Sequence, residues 1–279
     1  MNTVQTKRKI GLHLRLTTTI NDLAKRADAL QIPIFQCFFI KQETNQFVVM
    51  PDPEIAEFLH DWRSRFDELY VHGSYWINLA SASTTNRILM RELELAKRLE
   101  FSHIILHPGS ARKIGKKSDG IAAIARKLNG ILKSETGITL VLENTAHAGY
   151  SIGGDLHDFF LLRERLDHPE KIKFCIDTAH AFSYGYDITQ EKGLNHFVAL
   201  IERTIGFENI ALIHLNDIKQ ECGSRIDRHE VIGAGKLATT LPLFINRAEF
   251  KNIPIIMELP VLADEQEKDV LEMVKKWDL

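Results

Sequence analysis

Nine residues of two chemical kinds close short apolar runs of this chain or lie just beyond them: His72, His107, Glu143, Asp177, His180, His214, Asp227, His229 and Glu258. A lone histidine at the end of a strand is ordinarily a satisfied structural residue. Five imidazoles and four carboxylates gathered at one mouth are another matter. Like charges would stand unpaired in a partly dry site unless cations neutralised them. Metal ions are the economical explanation. Mixed nitrogen and oxygen ligands without thiolate suit zinc, with manganese or iron as alternatives, better than magnesium or calcium, which prefer oxygen alone. At three or four protein ligands per ion, with one carboxylate shared, the set could hold three ions. Three dications against four carboxylates leave a local charge of about +2, which attracts a phosphodiester.

The elements that must gather these residues are short β-rich runs at 9–14, 32–40, 69–75, 103–108, 139–144, 173–177, 211–217 and 253–259. Most are continuously apolar, as expected of parallel strands covered by helices on one side and by a filled barrel interior on the other. Between them lie stretches such as TINDLAKRADAL, RILMRELELAKRLE and GIAAIARKLNGILKSE, whose apolar residues recur at helical spacing. Eight strand-helix units predict an α/β fold, a TIM (β/α)8 barrel forming one domain over residues 1–279. In such a barrel the chemistry sits at the C-terminal ends of the strands, where the nine residues fall.

Composition excludes several classes of partner. A formal charge of −2 creates no strong overall field, so an anionic substrate has to be attracted locally. Cys37, Cys175 and Cys222 form no CxxC pair and suggest neither a disulfide framework nor a cysteine zinc site, which predicts reduced thiols and a cytoplasmic protein. No signal-like segment or membrane-spanning apolar run is found.

The motifs HGSYWINL (72–79), HPGS (107–110), LENT (142–145), CIDTAHAFSYGYD (175–187), HLND (214–217), GSRIDRH (223–229) and IIMEL (255–259) resemble those of the endonuclease IV family. These are zinc-dependent apurinic/apyrimidinic endonucleases of base excision repair on a xylose-isomerase-like barrel. The motifs occur in family order over nearly the whole chain. The resemblance implies a first Zn2+ held by His72, His107 and Glu143, and a second held by Glu143, Asp177, His214 and Glu258. A third is implied at His180, Asp227 and His229. Glu143, His107, Asp177 and Glu258, around the first two ions, would then carry catalysis. The implied reaction cleaves the phosphodiester 5′ to an abasic site in double-stranded DNA, leaving a 3′-hydroxyl and a 5′-deoxyribose phosphate. A monomer with no obligate protein partner suffices for it, and a bacterial enzyme of this kind would be nucleoid-associated.

The DNA-gripping parts follow the family less closely. The loop after the second run reads IKQETNQFVVM, without the arginine and tryptophan expected there, and the first loop carries a bulky HLRLTTTIN. Tyr75 and Trp76 are candidates for stacking or insertion, with packing of Trp76 beneath the second loop as the alternative. Arg112, Lys113, Lys116 and Lys117 in the fourth loop, and Arg225 and Arg228 beside Asp227, are candidates for phosphate contacts. Asn144, Asn216 and Asp217 are candidates to orient imidazoles, and His13 is a candidate to line the pocket, with a structural role as the alternative. Two rivals remain: a metal-dependent sugar isomerase or epimerase on the same barrel, and a non-catalytic lesion-binding relative.

Overall fold

The computed structural model describes residues 7–41, 46–81, 85–133 and 137–278. In chain order its strands are β1 (Ile10–His13), β2 (Phe35–Phe38), β3 (Ile40–Lys41), β4 (Gln46–Phe47), β5 (Leu69–His72), β6 (His103–Leu106), β7 (Thr139–Glu143), β8 (Ile172–Asp177), β9 (Ile210–His214), β10 (Asp217–Ile218), β11 (His229–Glu230) and β12 (Ile255–Met257). Eight of them, in the order β1-β12-β9-β8-β7-β6-β5-β2, close into a barrel in which neighbours pair in parallel. The remaining four make two antiparallel ribbons, β3 with β4 and β10 with β11. The predicted TIM (β/α)8 barrel is therefore the fold found.

The helices are α1 (Ile20–Ala29), α2 (Asp52–Glu57), α3 (Thr85–Arg98), α4 (Lys117–Leu132), α5 (His157–Arg163), α6 (Thr178–Tyr184), α7 (Glu191–Thr204), α8 (Leu241–Ile245) and α9 (Asp264–Trp277). Local chemistry sets their ends. The Thr19 hydroxyl accepts the Asp22 N–H and caps α1, and Pro51 precedes α2 in an extended conformation. The Asp177 carboxylate accepts the His180 N–H at 2.7 Å and caps α6, so one side chain both ends β8 and begins a helix. Among the described residues no helix is long and apolar enough to cross a membrane.

Two apolar layers flank the barrel wall. The larger fills the space between strands and helices. A smaller cluster of Ile34, Tyr70, Ile105, Val141, Cys175, Leu212 and Ile256 plugs the interior. Gly11 occupies the place β1 would contribute, because a Cβ there would stand 2.0 Å from the Ile34 carbonyl oxygen. Strand side chains alternate with a period of two, so the residues two positions beyond this floor also point inward. They are His13, Gln36, His72, His107, Glu143, Asp177, His214 and Glu258. The floor is apolar and dry; the layer above it is wholly polar.

The strands are shorter than the apolar runs that predict them: 32–40 yields Phe35–Phe38, and 253–259 yields Ile255–Met257. The surplus apolar residues pack outside the ladder, as Ile32 and Phe39 do. The second loop begins as the β3–β4 ribbon, and its residues 42–45 lie outside the described ones.

Candidate metal centre

All nine ligand candidates meet above the barrel floor. Glu143, fully buried at the end of β7, is the hub. Its Oε2 lies 3.2 Å from His72 Nε2 and 3.1 Å from His107 Nε2, and its Oε1 lies 2.8 Å from His214 Nδ1 and 3.3 Å from His180 Nδ1. Asp227 reaches in from the loop after β10, with Oδ2 3.1 Å from His180 Nε2 and Oδ1 3.3 Å from His229 Nε2. His229 is placed by the β10–β11 ribbon, in which it pairs with Ile218. Asp177 Oδ2 lies 3.8 Å from His229 Nε2 and 4.0 Å from His214 Nδ1.

Among the described residues, the groupings with ligand atoms within 4.8 Å of one another include His72, His107 and Glu143; Glu143, Asp177, His214 and Glu258; and Asp177, His180 and His229. The first two match the sequence expectation. In the third Asp177 stands with the two histidines, and Asp227 bridges the same two imidazoles. Cys175, set aside on the sequence, also lies within this reach of Glu143 and His214. Burial pushes its thiol up to about 12, which keeps it protonated at neutral pH.

The imidazole orientations carry chemical information. His72 Nδ1 faces the Gly73 carbonyl at 2.9 Å, His180 Nδ1 the Asn144 carbonyl at 2.8 Å, and His229 Nδ1 the Glu258 carbonyl at 3.2 Å. His214 is turned the other way, with Nε2 2.9 Å from the Gln36 amide oxygen. A carbonyl oxygen only accepts, so each of these ring nitrogens carries a hydrogen and the opposite nitrogen offers a lone pair. Those lone pairs face carboxylate oxygens. Two acceptors at such distances need a positive charge between them, either a proton or a metal ion. The Nε2 atoms of His107, His180 and His229 are buried without a hydrogen-bond partner among the described residues, so the donor set fits bound cations.

With protons alone, the electrostatics answer this need by shifting titrations. Burial lowers the pKa of His180, but Asp177 and Asp227 outweigh it and hold the ring well above its usual range. His214 is likewise raised against its burial by Cys175, Glu258 and Glu143, of which the two carboxylates carry charge at neutral pH. His229 is raised to about 9 against its burial by Asp227 and Asp177. Burial raises Glu143, yet His214 and His107 bring it well below the ordinary carboxylate value. Glu258 and Asp227 are lowered in the same way, each against its burial, chiefly by His214 and His180 respectively. For Asp177 burial prevails and the pKa is raised.

The supporting residues differ in part from those expected. Asn216 orients carboxylates, not imidazoles: its Nδ2 donates to Asp177 Oδ2 at 2.6 Å and Glu258 Oε2 at 3.1 Å, and its Oδ1 accepts the Glu258 N–H at 2.8 Å. Asn144 orients His180 through its backbone carbonyl, while its side chain grips the Asp177 backbone. Asp217 touches no imidazole. Its carboxylate accepts the N–H groups of Ile218, Gly233, Gly235 and Leu237 at 2.8–3.0 Å, tying down the loop that carries Asp227 and His229. Gln36, absent from the sequence expectation, is buried on β2 among these ligands. Its signal was a lone polar residue in the apolar run IPIFQCFFI, two positions after an inward isoleucine.

At the mouth, Tyr75 and Trp76 are 60 % and 63 % exposed, so Trp76 is not packed beneath the second loop. The Tyr75 ring lies 5.4 Å from His72 and 5.6 Å from His107. Buried Glu92 on α3 accepts the Ser74 N–H with both oxygens at 3.2 Å and holds the turn ahead of this pair; burial pushes its carboxyl up to about 7. Arg112, Arg225 and Arg228 lie on the loops above the strands, all three exposed. The Arg225 guanidinium lies over the Tyr184 ring at 4.0 Å. Lys117 is not a free loop cation: it starts α4 and pairs with Asp158 at 2.7 Å.

Residues 25–277 match the family model described as a xylose isomerase-like TIM barrel. The chain is 33% identical to "Probable endonuclease 4" of Thermotoga maritima, with 97% of this chain and 98% of that protein covered. Among solved structures it is similar to endonuclease IV from Thermus thermophilus, at a TM-score of 0.80 and 24% identity over 96% of this chain and 98% of that one. It is also similar in fold to a D-tagatose 3-epimerase-like protein, at a TM-score of 0.72 and 17% identity over 96% of each chain. With its polar layer and its relatives both in view, the chain belongs to the endonuclease IV family of xylose isomerase-like TIM barrels.

Proposed function

We propose that this protein is a metal-dependent apurinic/apyrimidinic endonuclease that acts on double-stranded DNA and hydrolyses the phosphodiester 5′ to an abasic site. The products would be a 3′-hydroxyl and a 5′-deoxyribose phosphate. The observation that carries the reading is the set of lone pairs on His72, His180, His214 and His229 facing the Glu143 and Asp227 carboxylates, with the buried Nε2 atoms of His107, His180 and His229 left without hydrogen-bond partners among the described residues.

Three Zn2+ ions fit this donor set, held by His72, His107 and Glu143, by Glu143, Asp177, His214 and Glu258, and by His180, Asp227 and His229. Bound there, they would supply a water acidic enough to attack at neutral pH and would neutralise the phosphate. The protein's part is positional. Glu143 belongs to the first two of these sets and would serve both. Asn216 holds the Asp177 and Glu258 carboxylates, so neither turns away when substrate enters. The His107 and Asp227 side chains remain 22% and 29% exposed, and a phosphate approaching from the mouth meets them first. Tyr75 and Trp76 beside that opening supply flat apolar surface for a base or an abasic gap. Arg112 and Arg228 supply charge for the strand that runs past it.

A sugar isomerase or epimerase shares the fold, but the additional set of His180, Asp227 and His229 exceeds the one or two ions such chemistry needs. A non-catalytic relative need not retain all nine ligands. The test is a gel assay on a duplex carrying one tetrahydrofuran abasic analogue, which cannot undergo β-elimination. A cut 5′ to the lesion ending in a 3′-hydroxyl, abolished by prolonged chelation, supports the reading. No cut by zinc-replete protein overturns it.

A further inference from the structure

The eighth place in the polar layer belongs to Gln36, whose amide directs both of its heavy atoms at the layer itself. Its Nε2 donates to Glu258 Oε1 at 2.7 Å and to His13 Nδ1 at 2.8 Å. Its Oε1 accepts from His214 Nε2 at 2.9 Å. The orientation is dictated from one side. Glu258 is an acceptor, so the NH2 group must face it, and a flipped amide would set oxygen against carboxylate. With nitrogen committed to Glu258, the oxygen is left for His214. That oxygen can only accept, so His214 keeps its hydrogen on Nε2 and turns Nδ1 toward Glu143.

His214 is thereby the exception beside three of its neighbours: His72, His180 and His229 each hold a backbone carbonyl through Nδ1 and offer Nε2. The exception follows from position, because a ring buried at the end of β9 meets the side chain of β2 across the barrel and not a carbonyl of its own loop. His13 completes the arrangement as the second nitrogen acceptor of the amide, and its ring packs between Phe38 and His72 at centroid distances of 4.8 and 6.4 Å.

We propose that Gln36 is a positioning residue that selects the Nε2–H form of His214 and, through the same amide, aims Glu258, so that the second metal set is assembled before metal arrives. This rests on the metal-centre reading given above. It assigns Gln36 to one set of ligands and not to the other two, and that selectivity is what a merely structural role would lack.

The experiment compares wild type with Gln36→Leu, and with Gln36→Met should leucine disturb the barrel. Each protein is stripped with chelator, checked for retained secondary structure and titrated with Zn2+ against a colorimetric competitor, with bound zinc counted by mass spectrometry. Long-range 1H–15N spectra of the zinc-loaded proteins report which ring nitrogen each histidine uses. Expected are three ions in wild type, with His214 bound through Nδ1. In the variant one ion is weakened by about 10- to 100-fold, the His214 signal changes, and the other two ions are retained. Three ions bound as tightly as in wild type, or a uniform weakening of all three, would overturn the assignment to Gln36. A wild-type protein that takes up no zinc would instead overturn the metal-centre reading itself, so the two failures are distinguishable.

Discussion

His180 Nε2 stands 3.1 Å from Asp227 Oδ2 while its Nδ1 is held by the Asn144 carbonyl, so a helix residue and a loop residue distant in sequence face each other through a lone pair and a carboxylate. The same pattern, one nitrogen fixed and the other available, holds for His72, His214 and His229. It has measurable consequences for metal, stability and turnover.

Glu143→Gln preserves shape but removes the anion shared by two ligand sets. Chelator-sensitive cleavage of the abasic duplex is expected to fall by at least about 100-fold, with the circular dichroism spectrum unchanged. Turnover equal to wild type would show that Glu143 is not the shared ligand.

Asn216→Ala removes the hydrogen bonds donated to Asp177 and Glu258 and leaves the partly buried Glu258 N–H without this acceptor. A loss of about 1–3 kcal/mol is expected from urea unfolding of the metal-free protein. Zinc affinity should fall as well, and a variant as stable and as zinc-avid as wild type would remove Asn216 from the supporting network.

Much of this site was legible because its ligands obey the strand period. His72, Glu143, Asp177, His214 and Glu258 each follow an apolar residue by two positions, and charged types at that spacing stand out in an apolar run. Gln36 obeys the same rule, but an amide does not titrate and so gives no electrostatic sign of its place among ligands. The Lys117–Asp158 pair and the placing of Arg225 over Tyr184 join residues about 41 positions apart in each case, and no local pattern announces such contacts. Strand ends were overextended because apolar runs continue past the ladder into the helix-facing layer, where burial without pairing rewards the same residues.

The metal-free protein should have an acid-side and a base-side loss of stability. His180, His214 and His229 have folded pKa values above the ordinary 6.5, so their contribution is complete below 6.5 and fades as pH rises, for His229 through about 9. Glu143, Glu258 and Asp227 lie below their ordinary values, so theirs is present above those values and lost as pH falls. Urea midpoints of the chelated protein should therefore peak at roughly pH 5–6.5. With zinc the decline above that range should disappear, because ions take the place of the protons. A flat profile for chelated protein between pH 6.5 and 9 would contradict the protonated imidazoles.

Trp76→Ala should weaken binding to the abasic duplex by about 10- to 100-fold, the worth of one stacking contact, while leaving bound zinc unchanged. Fluorescence anisotropy with a labelled duplex, beside metal counting, separates grip from chemistry. Unaltered affinity would mean the exposed indole meets no base.

Gly11→Ala tests the barrel floor. Its methyl carbon would fall 2.0 Å from the Ile34 carbonyl oxygen, and a destabilisation of about 3 kcal/mol is expected in denaturant titrations. A variant of wild-type stability would mean that β1 and β2 separate freely at this point.

The Asp217 carboxylate gathers the amides of Ile218, Gly233, Gly235 and Leu237 and so pinches together both ends of the segment bearing Asp227 and His229. In polymer terms the segment is a closed ring. Its excursions are cut off when the chain folds, because the entropy of bringing the ends together is lost then and not on ligand capture. The segment therefore behaves as a preset jaw hinged at a single anion. Loosening that anion would return to the segment the freedom that folding removed, without touching Asp227 or His229 themselves.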